Sequence, residues 1–181
     1  KLGNSILIFI IKRLIEIFGI LIFCLGILLF ISLISYSPTD PNFIFPENTE
    51  IKNILGFRGS YVSDLFFQSF GTTAYLIPIT YIFTGFNILK RKEIFLLIEN
   101  SFFIVFYTLL GSLFFSFYYK DTFSFYINGN GGFVGNFLNT SILSNIISLH
   151  QNIFFYFLIF LIITIFLISI NFNIKVFFQN I

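Results

Sequence analysis

Four long apolar stretches decide what this chain can fold into. They cover about residues 14–35, 65–89, 101–118 and 152–170. A transmembrane helix needs about 20 consecutive apolar residues to cross the roughly 30 Å hydrocarbon core of a bilayer. Charged residues make up 10% of the chain, against about 25% in a typical soluble domain. The sequence therefore predicts an all-α integral membrane protein with four transmembrane helices.

The first apolar stretch could instead be a secretory signal peptide. Such a peptide has an apolar core of about 7–15 residues followed by a cleavage site with small side chains. The stretch over residues 14–35 is longer than that, and Ser35-Tyr36-Ser37-Pro38 does not fit the cleavage pattern. We therefore interpret it as the first span.

The later stretches have internal features that affect their boundaries. Pro78 is predicted to kink the second span, because proline removes a helical hydrogen bond. Residues 94–98 are followed by the polar residues Glu99 and Asn100, which interrupt the apolar stretch, so we interpret them as an interfacial entry to a third span that starts at Ser101. Residues 134–149 have apolar side chains at helical spacing on one face only. They are predicted to form a short helix along the outer interface before the last span.

The basic residues predict the orientation. The segments on one side of the predicted membrane carry seven, Lys1, Lys12, Arg13, Lys90, Arg91, Lys92 and Lys175, and the two opposite loops carry Lys52, Arg58 and Lys120. Cytoplasmic segments of membrane proteins are enriched in Lys and Arg. Both termini and the short loop at residues 90–93 are therefore predicted to be cytoplasmic.

The residues that usually carry out chemistry are scarce. The chain has no Walker-type phosphate-binding motif, and the glycine-rich segment Gly129–Gly135 follows no predicted strand, so we interpret it as a flexible turn. His150 and Cys24 are the only histidine and cysteine, which is too few for a metal site built from such ligands. We predict no catalytic, cofactor-binding or metal-binding residue in this chain.

Ionisable residues deep in a span would indicate a transport or proton-transfer site. Glu16, Asp64, Glu93 and Glu99 all lie near predicted ends of spans. Small residues inside the spans instead indicate close contacts between helices. They are Gly19, Gly26, Gly71, Gly85, Gly111, Ser112 and Ser116.

Two loop regions and the start of the second span contain ordered motifs. The first is Ser35-Tyr36-Ser37-Pro38-Thr39-Asp40-Pro41, and the second is Asn53-x-x-Gly56-x-x-Gly59-Ser60-x-x-Ser63-Asp64, continuing into Phe70-Gly71-x-x-Ala74-Tyr75-x-x-Pro78. Gly131-Gly132-x-x-Gly135 precedes the last span. With these motifs nearly the whole chain resembles the N-terminal four-helix membrane region of the FtsK/SpoIIIE septal DNA translocases. Ser60 and Ser63 depart from it, since they stand where the family pattern has alanine.

We interpret the motif residues as structural. The Ser37–Pro41 segment is predicted to turn the chain where it leaves the bilayer. Asp64 is predicted to be the N-cap of the second span, where its carboxylate would accept backbone N–H groups. Gly56 and Gly59 are predicted to allow a tight approach before that helix.

The resemblance implies a division of labour within a longer protein. Residues 1–175 would form a membrane anchor in the bacterial inner membrane, and residues 176–181 would begin a cytoplasmic linker. The motor, a hexameric ATPase that uses ATP and Mg²⁺ to move double-stranded DNA, would lie beyond the linker. The anchor would form homo-oligomers and meet other membrane proteins of the division septum. The alternative from the residues alone is a small multi-span transporter or channel subunit, in which Pro78 would break a helix at a substrate site.

Overall fold

The computed structural model describes residues 2–41, 50–120, 122 and 127–171. Within these residues the regular secondary structure is entirely helical. The helices are α1 (Leu2–Ile34), α2 (Gly56–Phe70), a 3₁₀ helix (Gly71–Tyr75), α3 (Leu76–Arg91), α4 (Phe95–Tyr118), α5 (Gly132–Asn139), α6 (Ile142–Leu149) and α7 (Gln151–Ser169).

Four helical segments among the described residues are long and apolar enough to cross a membrane. They are Ile6–Ile34, Gly56–Arg91, Phe95–Tyr118 and Gln151–Ser169. This confirms the predicted all-α fold with four spans. The apolar side chains on the outside of these helices are those that a bilayer, and not water, would cover.

Helices α1 and α3 run antiparallel along most of their length. Leu33 packs against Ala74 near one end, and Glu16 forms an ion pair with Lys92 near the other, at 2.7 Å. We call the first the loop end of the bundle and the second the basic end. Helix α4 contacts α3 and α7, so the four spanning helices lie in the order α1, α3, α4, α7.

Glycines bring α1 and α3 close together. A Cβ atom on Gly85 would lie 2.5 Å from the backbone nitrogen of Phe23, and one on Gly26 would lie 2.8 Å from that of Ile82. Both distances are too short for a side chain. The small residues that the sequence contains in these spans therefore allow the backbones to approach, as is common between transmembrane helices.

Helix α1 is longer than the predicted first span. It begins at Leu2, and Glu16 lies at the level where α3 ends. The part of α1 before Glu16 projects about 20 Å beyond the basic end. The apolar side chains at residues 6–11 and 14 are exposed, for example Leu7 at 58% and Phe9 at 58%.

The second span is broken at Gly71, not at Pro78. A continuous helix over Gly56–Arg91 would be about 54 Å long, well above the thickness of the hydrocarbon core. Gly71 has φ +60° and ends α2, and the 3₁₀ helix then leads into α3. Pro78 is the third residue of α3, where an N–H group has no helical partner to lose. The interruption that was predicted at Pro78 therefore lies just before it, at residues 71–75.

The third span differs from the prediction at its start. Helix α4 begins at Phe95 and continues through Glu99 and Asn100 without a break. The interfacial entry at residues 94–98 is thus the first turn of the same helix. Asn100 does not interrupt it, because this side chain is buried and hydrogen bonded.

The segment before the last span forms two short helices, where a single one was predicted. Helix α5 ends at Asn139, and Ser141 begins α6 by accepting a hydrogen bond from the Leu143 backbone N–H at 3.3 Å. Ile147 of α6 is buried against Phe114 of α4 and Leu158 of α7. The two helices therefore pack on the loop end of the bundle.

Candidate functional site

Two clusters of buried polar side chains hold the bundle together. The first, the loop-end clasp, lies where α1 ends and α2 begins, and it contains most of the motif residues. The second, the basic-end network, joins α3, α4 and the end of α7.

Asp40 organises the chain after α1. Its carboxylate accepts hydrogen bonds from the backbone N–H groups of Lys52 and Asn53, both at 2.9 Å. The side chain is 3% exposed. Before it, the hydroxyl of Ser37 accepts from the Thr39 backbone N–H at 3.4 Å, which forms the turn predicted for this segment. Asp40 thus joins two loop segments that are 12 residues apart.

Asn53 closes the C-terminal end of α1. Its side-chain amide donates to the carbonyl oxygens of Ser32 at 2.9 Å and Ser35 at 3.3 Å, and its oxygen accepts from the Leu55 N–H at 3.1 Å. The last carbonyl groups of a helix have no partner within it. Asn53 lies in the loop before α2, and its side chain therefore supplies the hydrogen bonds that these carbonyl groups cannot form within α1. The Ser35 hydroxyl completes the junction by accepting from the Ile54 N–H at 3.2 Å.

Two glycines shape the start of α2 in different ways. Gly56 has φ +66° and open space around it. Glycine is therefore needed here for its backbone conformation and not for want of space. A Cβ atom on Gly59 would lie 2.1 Å from the Asn53 side-chain oxygen. The Gly59 carbonyl accepts from the Ser32 hydroxyl at 2.6 Å, and the Ser60 hydroxyl donates to the Pro41 carbonyl at 2.8 Å. This turn of α2 is thereby fixed to the end of α1.

Asp64 lies inside α2 and does not cap it. The helix begins at Gly56, so the predicted N-cap role is wrong. The carboxylate accepts from the Tyr36 hydroxyl and from the Gln68 amide, both at 3.3 Å. Burial raises the pKa of Tyr36 above its usual value, and the charge of Asp64 adds to this effect. Tyr36 also packs on the ring of Phe67 at 4.9 Å.

The break after α2 receives the glycine-rich segment. The Thr72 backbone N–H donates to the Asn130 carbonyl at 2.9 Å. A Cβ atom on Gly71 would lie 1.9 Å from that same oxygen. Asn130 itself is fully buried, and its side-chain amide donates to the Tyr119 carbonyl. The predicted turn is thus present at residues 129–131, where hydrogen bonds hold it in place, whereas residues 132–135 form the first turn of α5.

The glycines of this segment seat α5 against α4. Added Cβ atoms on Gly131 and Gly135 would lie 2.5 Å and 2.2 Å from the Ser112 carbonyl oxygen. Gly132 has φ +64° and faces the break after α2. The Ser116 hydroxyl donates to the side-chain oxygen of Asn136 at 2.9 Å. Small residues on both helices therefore allow a contact that larger ones would prevent.

The remaining motif residues are also at the loop end. The Phe70 carbonyl accepts from the Ser112 hydroxyl at 3.0 Å. Ala74 is fully buried, and Tyr75 packs on Phe67 with the ring centroids 5.0 Å apart. Most of the residues singled out in the sequence therefore come together around the junctions of α1, α2, α4 and α5, while Pro78 faces α1 further along.

The basic-end network was not predicted. The Thr80 hydroxyl lies 3.0 Å from the Tyr107 hydroxyl and 3.1 Å from that of Ser169. One turn further along α3, the Thr84 hydroxyl accepts from the amide of Asn100 at 2.8 Å. Helices α3, α4 and α7 are thus joined by neutral side chains inside the apolar region.

The same network fixes the end of α7. The Asn171 amide donates to the Asn100 side-chain oxygen at 3.1 Å, and the Asn87 amide donates to the Ile170 carbonyl at 3.3 Å. Asn171 has φ +55°, a left-handed conformation that asparagine adopts more readily than most residues. The chain therefore leaves the last helix at a defined place.

A signal for the network was present in the sequence. Thr80 and Thr84 are four residues apart on α3, and Asn100 and Tyr107 are seven apart on α4, so each pair shares one helix face. Polar residues on one face of a transmembrane helix often bond to a neighbouring helix. The sequence alone did not show which helices would meet.

The clusters are built for holding helices together. Among the described residues no group of three or more His, Cys, Asp and Glu side chains could hold a metal ion. The polar groups described above mostly bond to one another and to backbone groups. Fold and clusters together define a multi-pass helical membrane domain whose described polar groups serve its assembly.

Comparison with known proteins places this domain in a family. The sequence family described as the 4TM region of DNA translocase FtsK/SpoIIIE matches residues 11–181. The chain therefore belongs to the FtsK/SpoIIIE 4TM family, as its loop motifs indicated.

Its relatives are much longer proteins. The DNA translocase FtsK of Shewanella oneidensis is 34% identical over 97 residues, which cover 52% of this chain and 10% of the relative. The DNA translocase FtsK of Rickettsia typhi is 36% identical over 67 residues, 37% of this chain and 9% of the relative. The corresponding protein of Azospirillum brasilense is 30% identical over 88 residues, 48% of this chain and 14% of the relative. No solved structure matches the chain.

Proposed function

We propose that this chain is the membrane anchor of a DNA translocase and that it brings the motor to the division septum. Membership in the 4TM family supports the anchor role. The relatives named DNA translocase are matched over about a tenth of their length, which leaves room in them for a motor. In this proposal ATP, Mg²⁺ and double-stranded DNA bind to the motor and not to the four-span domain.

The observation that carries the proposal is the way α7 ends. Asn171 and Ile170 are hydrogen bonded to α4 and α3, so the exit of the chain is fixed to two other helices. An anchor needs such a fixed attachment, because a motor attached there would otherwise move relative to the membrane.

The proposed orientation places the basic end in the cytoplasm. Arg13, Lys90, Arg91 and Lys92 lie at or near that end, together with the exit of α7. Positive side chains are retained on the cytoplasmic side of the bacterial inner membrane. The loop-end clasp then faces outward, where it can meet other septal membrane proteins.

The anchor also promotes self-association of the motor in this proposal. Chains held in one membrane share a plane and have a high effective concentration. A hexameric motor would therefore assemble more readily when every subunit carries the anchor.

A transporter or channel subunit has less support. Among the described residues the buried charged side chains are Asp40 and Asp64, and both lie at the loop end. The buried groups along the apolar part of the bundle are neutral hydroxyls and amides, which already bond to one another.

The proposal is tested by fusing a fluorescent protein after Ile181 and following the fusion in dividing bacteria. Accumulation at the septum, together with resistance of the fusion to extraction from membranes by alkali, is expected. An even distribution over the membrane would refute septal targeting, and release by alkali would refute the anchor itself.

A further inference from the structure

A groove opens between α1 and α2 at the loop end. It has a volume of about 350 Å³, and its walls include Leu25, Leu28 and Leu29 of α1 with Val62 of α2. This volume lies within the roughly 300–1,000 Å³ range of small-molecule sites in proteins. The groove is therefore large enough for part of a ligand.

The way the two helices meet explains why the groove is apolar. The Ser32 hydroxyl donates to the Gly59 carbonyl at 2.6 Å, which joins α1 to α2 at this point. These polar groups bond to each other at the point of contact. The space beside them is lined mainly by leucine and valine side chains, which offer contacts to an apolar ligand.

The groove opens toward the bilayer. Leu25 is 59% exposed and Leu28 is 48% exposed, and Leu21, one turn before Leu25 on the same helix, is 54% exposed. In a transmembrane helix such side chains contact lipid acyl chains. A lipid acyl chain is therefore the apolar group that lies next to the groove.

Among the described residues that line the groove, Arg58 is the only charged one. It is exposed, and no carboxylate of a described residue forms an ion pair with it. A guanidinium group binds phosphate oxygens in a two-pronged geometry. A long arginine side chain near the end of a span also reaches toward the headgroup region.

We propose that this groove is a binding site for an anionic phospholipid, with one acyl chain between α1 and α2 and the phosphate on Arg58. This site is independent of the anchor function, because a lipid could bind whether or not a motor is attached. It predicts a preference for phosphatidylglycerol over phosphatidylcholine, since the extra positive charge of choline opposes Arg58.

The first test removes the charge. The chain, purified in detergent, is mixed with dioleoylphosphatidylglycerol or dioleoylphosphatidylcholine, and retained lipid is measured by native mass spectrometry. Arg58→Gln should lower the preference for phosphatidylglycerol by about three- to fivefold, the effect of one partly exposed charge pair. Lys52→Gln removes an exposed charge at the same end outside the groove and should leave the preference unchanged. Equal preferences in the two variants would overturn the proposal.

The second test fills the groove. Leu28→Trp should reduce retention of both lipids, while Leu14→Trp, at a similarly exposed site far along α1, should not. The same spectra report the number of chains per particle. If Leu28→Trp leaves lipid retention unchanged but reduces oligomers, a second copy of the chain occupies the groove and the lipid proposal fails.

Discussion

At the scale of single residues, the loop-end clasp depends on polar side chains that reach across the sequence. Asn53 uses its two N–H groups and its oxygen on three backbone partners. Asp40 likewise accepts two backbone N–H groups. A buried hydrogen bond contributes about 1 kcal/mol net, and leaving its partner unsatisfied costs more. These two residues therefore have larger effects on stability than their size indicates.

Replacing Asn53 with alanine tests this. Asn53→Ala should lower the free energy of unfolding by about 2–4 kcal/mol, because three bonds are lost and the carbonyls at the end of α1 become unpaired. Thermal unfolding in detergent, followed by circular dichroism, measures the change. Asn152→Ala is the matched control, since Asn152 is exposed at the start of α7. Equal unfolding temperatures for the two variants would contradict the role given to Asn53.

The sequence predicted some of these residue roles and not others. The turn at Ser37–Pro41 follows from local chemistry, because proline and short polar side chains favour turns wherever they stand. The role of Asp64 does not. An N-cap was expected because apolar residues follow Asp64, but α2 begins eight residues earlier, where the chain is held by the clasp. That start depends on contacts with α1, which no local pattern shows.

At the scale of elements, the basic-end network joins three helices through neutral side chains. Its bonds connect residues far apart in the chain: Asn100 lies 16 residues from Thr84 and 71 from Asn171. In the sequence Asn100 looked like an interruption of the third span, because its partners were unknown. Pairing removes the cost of burying the amide, and α4 therefore continues through it.

Replacing Asn100 with leucine should loosen the end of α7. The substitution removes the bonds to Thr84 and Asn171 while roughly keeping the volume. Bonds of this kind between membrane helices contribute about 0.6 kcal/mol each, so backbone amides near Ser169 should exchange hydrogen about three- to eightfold faster. Hydrogen–deuterium exchange with mass spectrometry measures this.

A matched variant separates the network from a general effect of leucine. Asn145→Leu changes an exposed asparagine on α6 and should not alter exchange at the end of α7. Exchange that stays unchanged in Asn100→Leu, or that rises equally in both variants, would show that the network does not hold α7.

At the scale of the whole molecule, the four spans could be predicted because the hydropathy of a stretch of sequence directly reflects whether lipid or water surrounds it. Residues that face lipid are apolar however the helices pack against one another. The number of spans can therefore be predicted without knowing which helices meet. The order of the helices and the break at Gly71 depend on which surfaces meet. Gly71 fits against Asn130, 59 residues later, and a single sequence gives no sign of that contact.

The orientation of the bundle is a prediction that labelling can check. In a Cys24→Ala background, cysteines replacing Lys52 and Thr122 should react from outside the cell with a membrane-impermeant maleimide, and one replacing Glu93 should not. All three positions are exposed in the structure. A cysteine at Asn130 should be unreactive despite its place in a loop, because that site is fully buried. Reaction of Glu93→Cys alone would reverse the orientation.

The fixed end of α7 has a mechanical consequence. A pull on the chain beyond Asn171 acts first on the bonds to Asn100 and Asn87, and through them on α4 and α3. The load is therefore shared by three helices and is not borne by α7 alone. Of the most apolar stretch of α7, 11% is buried inside the bundle. Any machine attached here would therefore pull against the bundle as a unit, with the bilayer as its support.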